Sequence, residues 1–340
     1  MTAVAGRAGS RTRPDPTGTG LDALRRALAA PHPTAGSDRP PAHTPDPDRT
    51  SRPATVPDPE AASRAAPAPA RTSPATPGPQ AAARRVRTTL TSEFRLVDGL
   101  RTHTRRSADP TVPGTPPVVL VHGLAVSHRY LTPLAETLGT THPVYVPDLP
   151  GFGLSAHPGH SYDLRQHVAH LLAWLDAYRM PPVCLVGHSF GAEVAAALAA
   201  DRPGVVRALV LAGPTSDPTA RSRRGLVGRW LVDSLREAPW QAPILVRDVL
   251  DARPWRVAAT IAHSVRNAVE EDLVRITVPT LVLAGERDPI VPPRWRAQVT
   301  RLVPDARLVT VPGAAHNVLT TAPGPVAGAI RDLLVPTLAR

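Results

Sequence analysis

A chain of 340 residues with a formal net charge of +11 carries all 39 of its basic residues as arginine. Without lysine it can form no Schiff base, hold no pyridoxal phosphate, build no P-loop and use no serine–lysine catalytic pair. The arginines are scattered and no aromatic-plus-basic strip accompanies them, so the charge excess does not point to nucleic acid.

Residues 1–86 are rich in Pro, Ala, Arg, Thr and Ser and contain no aromatic residue. Such a stretch buries too little apolar surface to offset its ordering entropy, and it reads as a disordered arm. Leu21, Leu24 and Leu28 form a short helical stripe within it, which suits a transient helix. No apolar core of signal-peptide length and no run of membrane-span length occurs. The expectation is a cytoplasmic protein without stable membrane insertion.

The rest of the chain suits one α/β domain with an insertion. Phe94–Val97 and Leu100–Thr104, split by Asp98-Gly99, read as a β-hairpin. Pro117–Val121 and Val144–Val146 are short apolar runs, typical of strands buried on both faces. Leu164, Val168, Leu171, Leu175 and Tyr178 recur at helical spacing and predict a helix over 162–178 with Ser161 as N-cap. Val183–Val186 reads as a strand and Ala192–Ala200 as the helix after it. Ala208–Ala212, Thr280–Ala284 and Arg307–Val311 are further strands, and Ala327–Leu338 closes as a helix. Strands alternating with helices imply a mostly parallel sheet covered on both faces. The alternation breaks in one interval, so the core is expected at 87–214 and 274–340, with a helical cap at 215–273. The lone cysteine, Cys184, lies inside a strand and reads as a buried small hydrophobe.

Gly187-His188-Ser189-Phe190-Gly191 carries the chemistry. This G-x-S-x-G pentapeptide sits between a strand and a helix, where a sharp turn exposes a serine hydroxyl. A side chain at Gly187 or Gly191 would clash with backbone crossing the turn. Ser189 therefore reads as a nucleophile, and a serine needs a base that is itself oriented by an acid. His316, in Gly313–Asn317 after the last strand, is the candidate base. Asp288, in Gly285–Val291, is the candidate acid, with Glu286 and Asp217 as rivals near the same sheet end. The order Ser189, Asp288, His316 is the one expected of this strand–turn–helix arrangement. An oxyanion needs two donors. The backbone N–H groups of Phe190 and of Leu124, in the loop Val121–Ala125, are the candidates. Gly123 allows close approach there, and His122 reads as a hydrogen bonder that stabilises the loop.

These pieces together resemble the α/β-hydrolase superfamily over about Ser92–Leu338. The matching blocks are His122-Gly123, Asp148–Ser155, Gly187–Gly191, Gly285–Val291 and Gly313–Asn317. The resemblance implies an eight-stranded, mostly parallel sheet, a helical cap, and hydrolysis without cofactor through an acyl-enzyme. A serine nucleophile separates the chain from haloalkane dehalogenases and epoxide hydrolases, which use Asp. The segment Val126–Tyr130 with Gly213–Thr215 resembles actinobacterial members of unassigned substrate.

Asp148 is expected to brace loops. His157, His160, His167 and His170 lack a convincing carboxylate partner, so no metal site is expected. In the cap, Leu226, Val227, Trp230, Leu231 and Leu235 form an apolar stripe, expected to pack over the pocket and suit an apolar acyl or aryl group. Trp230 and Leu231 are the candidate pocket residues. The leading expectation is a serine hydrolase cleaving a small-molecule carboxylic ester. Acyl transfer or carbon–carbon bond hydrolysis by the same three residues is an alternative, and a non-catalytic binding protein is a second.

Overall fold

The computed structural model describes residues 88–108 and 114–338. The arm over 1–86, with its Leu21, Leu24 and Leu28 stripe, lies outside the described residues.

Eight strands form one sheet in the order β1-β2-β4-β3-β5-β6-β7-β8. The hairpin is β1 (Leu90–Val97) and β2 (Leu100–Ser107), antiparallel through the turn residues Asp98 and Gly99, both at positive φ. That conformation matches the right-handed twist of the two strands. β2 runs antiparallel to β4 (Val144–Pro147). From there on, β3 (Val118–Val121), β5 (Val183–His188), β6 (Val206–Ala212), β7 (Thr280–Gly285) and β8 (Ala306–Val311) all pair in parallel.

The apolar runs are explained by two-sided burial. Every residue of β3, β5 and β7 is buried. Side chains alternate between two layers, as the period of a strand requires. Val119, Val121, Leu185 and Leu209 meet α2 (Leu164–Ala177), α3 (Phe190–Asp201) and α8 (Pro293–Leu302). Val118, Leu120, Cys184 and Val186 meet α1 (His128–Leu138) and α10 (Pro323–Leu338). Burial pushes the Cys184 thiol up to about 12, so this cysteine is an inert packing group.

The interval between β6 and β7 contains no strand. It holds α4 (Arg223–Ser234), α5 (Ala242–Ala252), α6 (Pro254–Ser264) and α7 (Val269–Leu273). A short α9 (Val318–Thr321) follows β8. Among the described residues no helix is long and apolar enough to cross a membrane.

Three helices, α1, α8 and the short α9, fall where the sequence reading placed none. α1 carries Pro133 in its interior, which removes a backbone donor and masks the helical signal. α8 buries only Trp295, Arg296, Val299 and Leu302 in a polar stretch. The start of α2 differs as well. Asp163, not Ser161, is the N-cap, and it forms a capping box with Gln166. Asp163 accepts the Gln166 N–H at 2.9 Å while the Gln166 amide accepts the Asp163 N–H at 2.9 Å. Ser161 instead meets Thr260 at 3.3 Å. The two exchanged bonds satisfy donors that a lone serine two residues upstream of the cap does not engage. Asp163→Ala is therefore expected to lower unfolding stability by about 1 kcal/mol, measured by urea denaturation, with Ser161→Ala costing less.

Candidate active site

Parallel pairing sends the C-terminal ends of β3, β5, β6, β7 and β8 to one edge of the sheet. The loops at that edge carry Gly123, Ser189, Gly213, Asp288 and His316.

Ser189 joins β5 to α3 with φ 55° and ψ −120°. A non-glycine residue in that region costs about 1–3 kcal/mol and persists only where its surroundings enforce it. Here the Ser189 N–H donates to the Ala212 carbonyl at 2.9 Å, and its own carbonyl accepts the Ala192 N–H at 2.9 Å. A Cβ on Gly187 would collide with the Gly191 carbonyl. A Cβ on Gly191 would lie 2.5 Å from the carbonyl oxygens of Val121 and His122. The two glycines thus serve different approaches: one within the turn, the other against the end of β3.

His316 and Asp288 are joined. The imidazole Nδ1 donates to Asp288 Oδ2 at 2.8 Å, and both side chains are buried. Asp288 Oδ1 accepts the N–H groups of Ile290 at 2.8 Å and Val291 at 3.1 Å. Burial alone would raise this carboxyl. The charge and hydrogen bond of His316, with the two backbone donors, hold it below its ordinary range. Burial alone would likewise depress His316, but Asp288 outweighs it, and Asp233 and Glu237 add to the effect. The imidazole is raised from 6.5 to about 9. Its Nε2 is buried without a hydrogen-bond partner among the described residues. A Cβ on Gly213 would sit 2.8 Å from His316 Cε1, so a glycine is needed to seat the ring.

Gly123 lies against the serine, since a Cβ there would be 3.0 Å from Ser189 Cβ. His122 fixes the next peptide. Its Nε2 accepts the Leu149 N–H at 2.9 Å, which leaves the proton on Nδ1 to donate to the Gly123 carbonyl at 2.8 Å. Burial, opposed in part by Asp148, also favours this neutral ring. In a trans peptide the carbonyl and the following N–H point oppositely. With the Gly123 carbonyl turned to His122, the Leu124 N–H faces away from that ring. The Phe190 N–H opens α3, where no intrahelical acceptor exists. Neither N–H has a backbone acceptor among the described residues.

A second connection was not legible in the sequence. The Gly123 N–H donates to Tyr130 Oη at 3.0 Å, and the Tyr130 hydroxyl donates to His188 Nδ1 at 2.7 Å. His188 Nε2 then donates to the His316 carbonyl at 2.9 Å. The backbone donor at one end and the carbonyl at the other set the direction of every proton. His188 is therefore neutral, as its fall to about 3 on burial and beside His316 also requires. The only sequence signal for this link is an imidazole at the end of a strand buried on both faces.

The remaining candidates fall elsewhere. Glu286 accepts the Gly313 N–H at 2.8 Å, and Asp217 caps a short turn and pairs with Arg229 at 2.8 Å. Asp148 accepts both His103 Nδ1 and His128 Nδ1 at 2.8 Å, the His128 N–H at 2.8 Å and the Leu154 N–H at 2.9 Å. It ties β2, the start of α1 and its own loop together, as expected of it. These three side chains bring ligand atoms within 4.8 Å of one another, and both Nδ1 atoms are engaged by Asp148 Oδ2. His170 meets Thr102 at 3.0 Å and His160 meets Gln166 at 3.2 Å.

The apolar stripe of α4 departs from the expected packing. Trp230 is 47% and Leu231 56% exposed, and the one buried residue of this helix is Asp233. The helix is fastened by polar contacts on its other face, including Arg229 to the Ile290 carbonyl at 3.0 Å. Periodicity alone located the stripe and not the side that faces the core.

Residues 118–329 match the alpha/beta hydrolase family. This chain belongs to the alpha/beta hydrolase family. RutD of Pseudomonas savastanoi pv. phaseolicola, named for carbamate hydrolysis, is 29% identical over 242 residues, which is 64% of this chain and 93% of its own. A pimeloyl acyl-carrier-protein methyl ester esterase of Xylella fastidiosa is 28% identical over 230 residues, covering 59% of this chain and 88% of its own. An esterase from Thermogutta terrifontis superposes with a TM-score of 0.61 at 24% identity, over 73% of this chain and 99% of that one. That last likeness shows the hydrolase fold.

Gly213→Ala is expected to displace the His316 ring while leaving every polar group of the site in place. Loss of the low-field proton resonance of the His316–Asp288 bond in NMR spectra checks it; an unchanged resonance would contradict this seating of the ring.

Proposed function

We propose that this alpha/beta hydrolase is a serine hydrolase that cleaves a carboxylic ester through an acyl-enzyme. The observation that carries the reading is the His316–Asp288 pair, with Nδ1 engaged at 2.8 Å and Nε2 left without a partner at the sheet edge that holds the strained Ser189.

Ser189 Oγ attacks the ester carbonyl and its proton passes to His316 Nε2. Asp288 fixes the tautomer and stabilises the imidazolium. The backbone N–H groups of Leu124 and Phe190 receive the oxyanion. His316 then protonates the departing alcohol, and the acyl group remains on Ser189. Water, deprotonated by the same imidazole, attacks the acyl-enzyme and releases the acid. No step calls for a cofactor.

Ser189→Ala and His316→Ala are each expected to lower kcat on an activated ester by at least about 1000-fold, because the two act as a unit. Full turnover in folded Ser189→Ala would defeat the assignment. Products formed with competing alcohols separate hydrolysis from acyl transfer. The pH dependence has a definite sign. Only the neutral imidazole is a base, and the free enzyme holds its proton up to about 9. The kcat/KM is therefore expected to rise with pH well above 6.5, with a limb toward about 9. A limb at or below 6.5 would contradict the electrostatics of the site.

A further inference from the structure

α4 is an exposed helix whose single buried residue is a carboxylate. Asp233 is 3% exposed, whereas Val227, Trp230, Leu231 and Val232 are 38%, 47%, 56% and 43% exposed. A buried carboxylate is costly unless it is partnered. Asp233 Oδ1 accepts the backbone N–H of His316 at 3.2 Å. One turn further, Glu237 Oε1 accepts the backbone N–H of Asn317 at 2.6 Å, and its Oε2 accepts the Gln241 amide at 2.9 Å. Two carboxylates four residues apart repel each other on a helix surface. Here they engage successive peptide N–H groups of the segment that carries the imidazole.

We infer that Asp233 and Glu237 are positioning residues for His316: from α4 and the turn that follows it, they hold its backbone and bias its imidazole toward the protonated form. The inference rests on the reading of His316 as the general base.

The other charged and titratable groups around this ring come from several elements. Asp288 is bonded to Nδ1 from the loop after β7. The ring of His188, from the end of β5, lies 4.8 Å away and is neutral. Glu286 engages the same loop at the Gly313 N–H. Arg236 donates to the Arg287 carbonyl at 2.9 Å, and Arg229 to Asp217 and the Ile290 carbonyl. The charge of His316 acts on Asp233, and those of Asp233 and Glu237 act in turn on His316. Burial raises the Asp233 carboxyl to about 6, opposed by the His316 charge, so this carboxylate is ionised at neutral pH.

Removing the two negative charges has opposite consequences in two pH ranges. Below the titration of His316, more of the enzyme holds the neutral base. Above it, the base is weaker, and the imidazolium formed as Ser189 loses its proton is less stabilised. A residue with a purely structural role would lower activity at every pH.

Asp233→Asn keeps an oxygen that can accept the His316 N–H while removing the charge, and Glu237→Gln does the same at Asn317. The test is an NMR titration of the histidine rings in the full chain, with the His316 signal assigned by its loss in His316→Gln. In the double variant the His316 midpoint is expected to fall by about one pH unit. The profiles of kcat/KM on an activated ester should cross, with the variant faster in acid and slower in alkali. Asp233→Asn alone should give part of the same shift, so a double variant that fails to fold does not end the test. An unmoved midpoint in the folded variants overturns the inference. A midpoint that moves in a protein that turns over no ester supports it and instead sinks the reading of His316 as a base.

Discussion

The left-handed backbone at Ser189 is the constraint on which the rest of the site depends. A φ of 55° is unfavourable for serine, and the chain accepts it only because four groups leave no alternative. The Ala212 carbonyl fixes the Ser189 N–H, α3 begins at the next residue, and the glycines at 187 and 191 let backbone pass where a Cβ would collide. Parallel pairing of β3, β5 and β6 then brings the Gly123 loop to one side of the serine and Gly213 to the other. The strain at one residue is offset by the packing of three strands.

Three histidines at this sheet edge share burial and differ in charge. His122 sits between two backbone groups, and His188 between the Tyr130 hydroxyl and a backbone carbonyl; each arrangement dictates a single neutral tautomer. Both are depressed by desolvation. His316 is buried to a similar extent but faces Asp288, Asp233 and Glu237, and it moves the other way. Burial therefore does not decide the behaviour of an imidazole here; the carboxylates beside it do. The two neutral rings act as connectors. His122 turns the Gly123–Leu124 peptide, and Tyr130 with His188 ties the Gly123 N–H to the His316 carbonyl. The loop proposed to bind the oxyanion and the loop proposed to supply the base are thus one hydrogen-bonded unit.

Much of this was readable in the sequence because it depends on short-range rules. Apolar runs of three to five residues placed the central strands, and Gly187–Gly191 between a strand and a helix placed the turn at Ser189. Strand ends placed Ser189, His316 and three candidate acids at one sheet edge, and the structure pairs Asp288, not Glu286 or Asp217, with the imidazole. What stayed hidden depends on side-chain direction and long-range contact. Ser161 and Asp163 are both plausible caps, and only the exchange with Gln166 selects between them. Pro133 concealed α1, and with it the contact of Tyr130 with His188, 58 residues away. The stripe of α4 was visible, but its orientation was set by a carboxylate reaching the backbone of a residue 83 positions on.

Intact-mass analysis after fluorophosphonate treatment, comparing wild type with Ser189→Ala, tests the central claim most directly. A single adduct on the wild type and none on the variant is the result this account predicts, since only a serine activated by His316 reacts with such a reagent. A wild type that takes up no adduct, or a Ser189→Ala protein labelled as fully as the wild type, would contradict it.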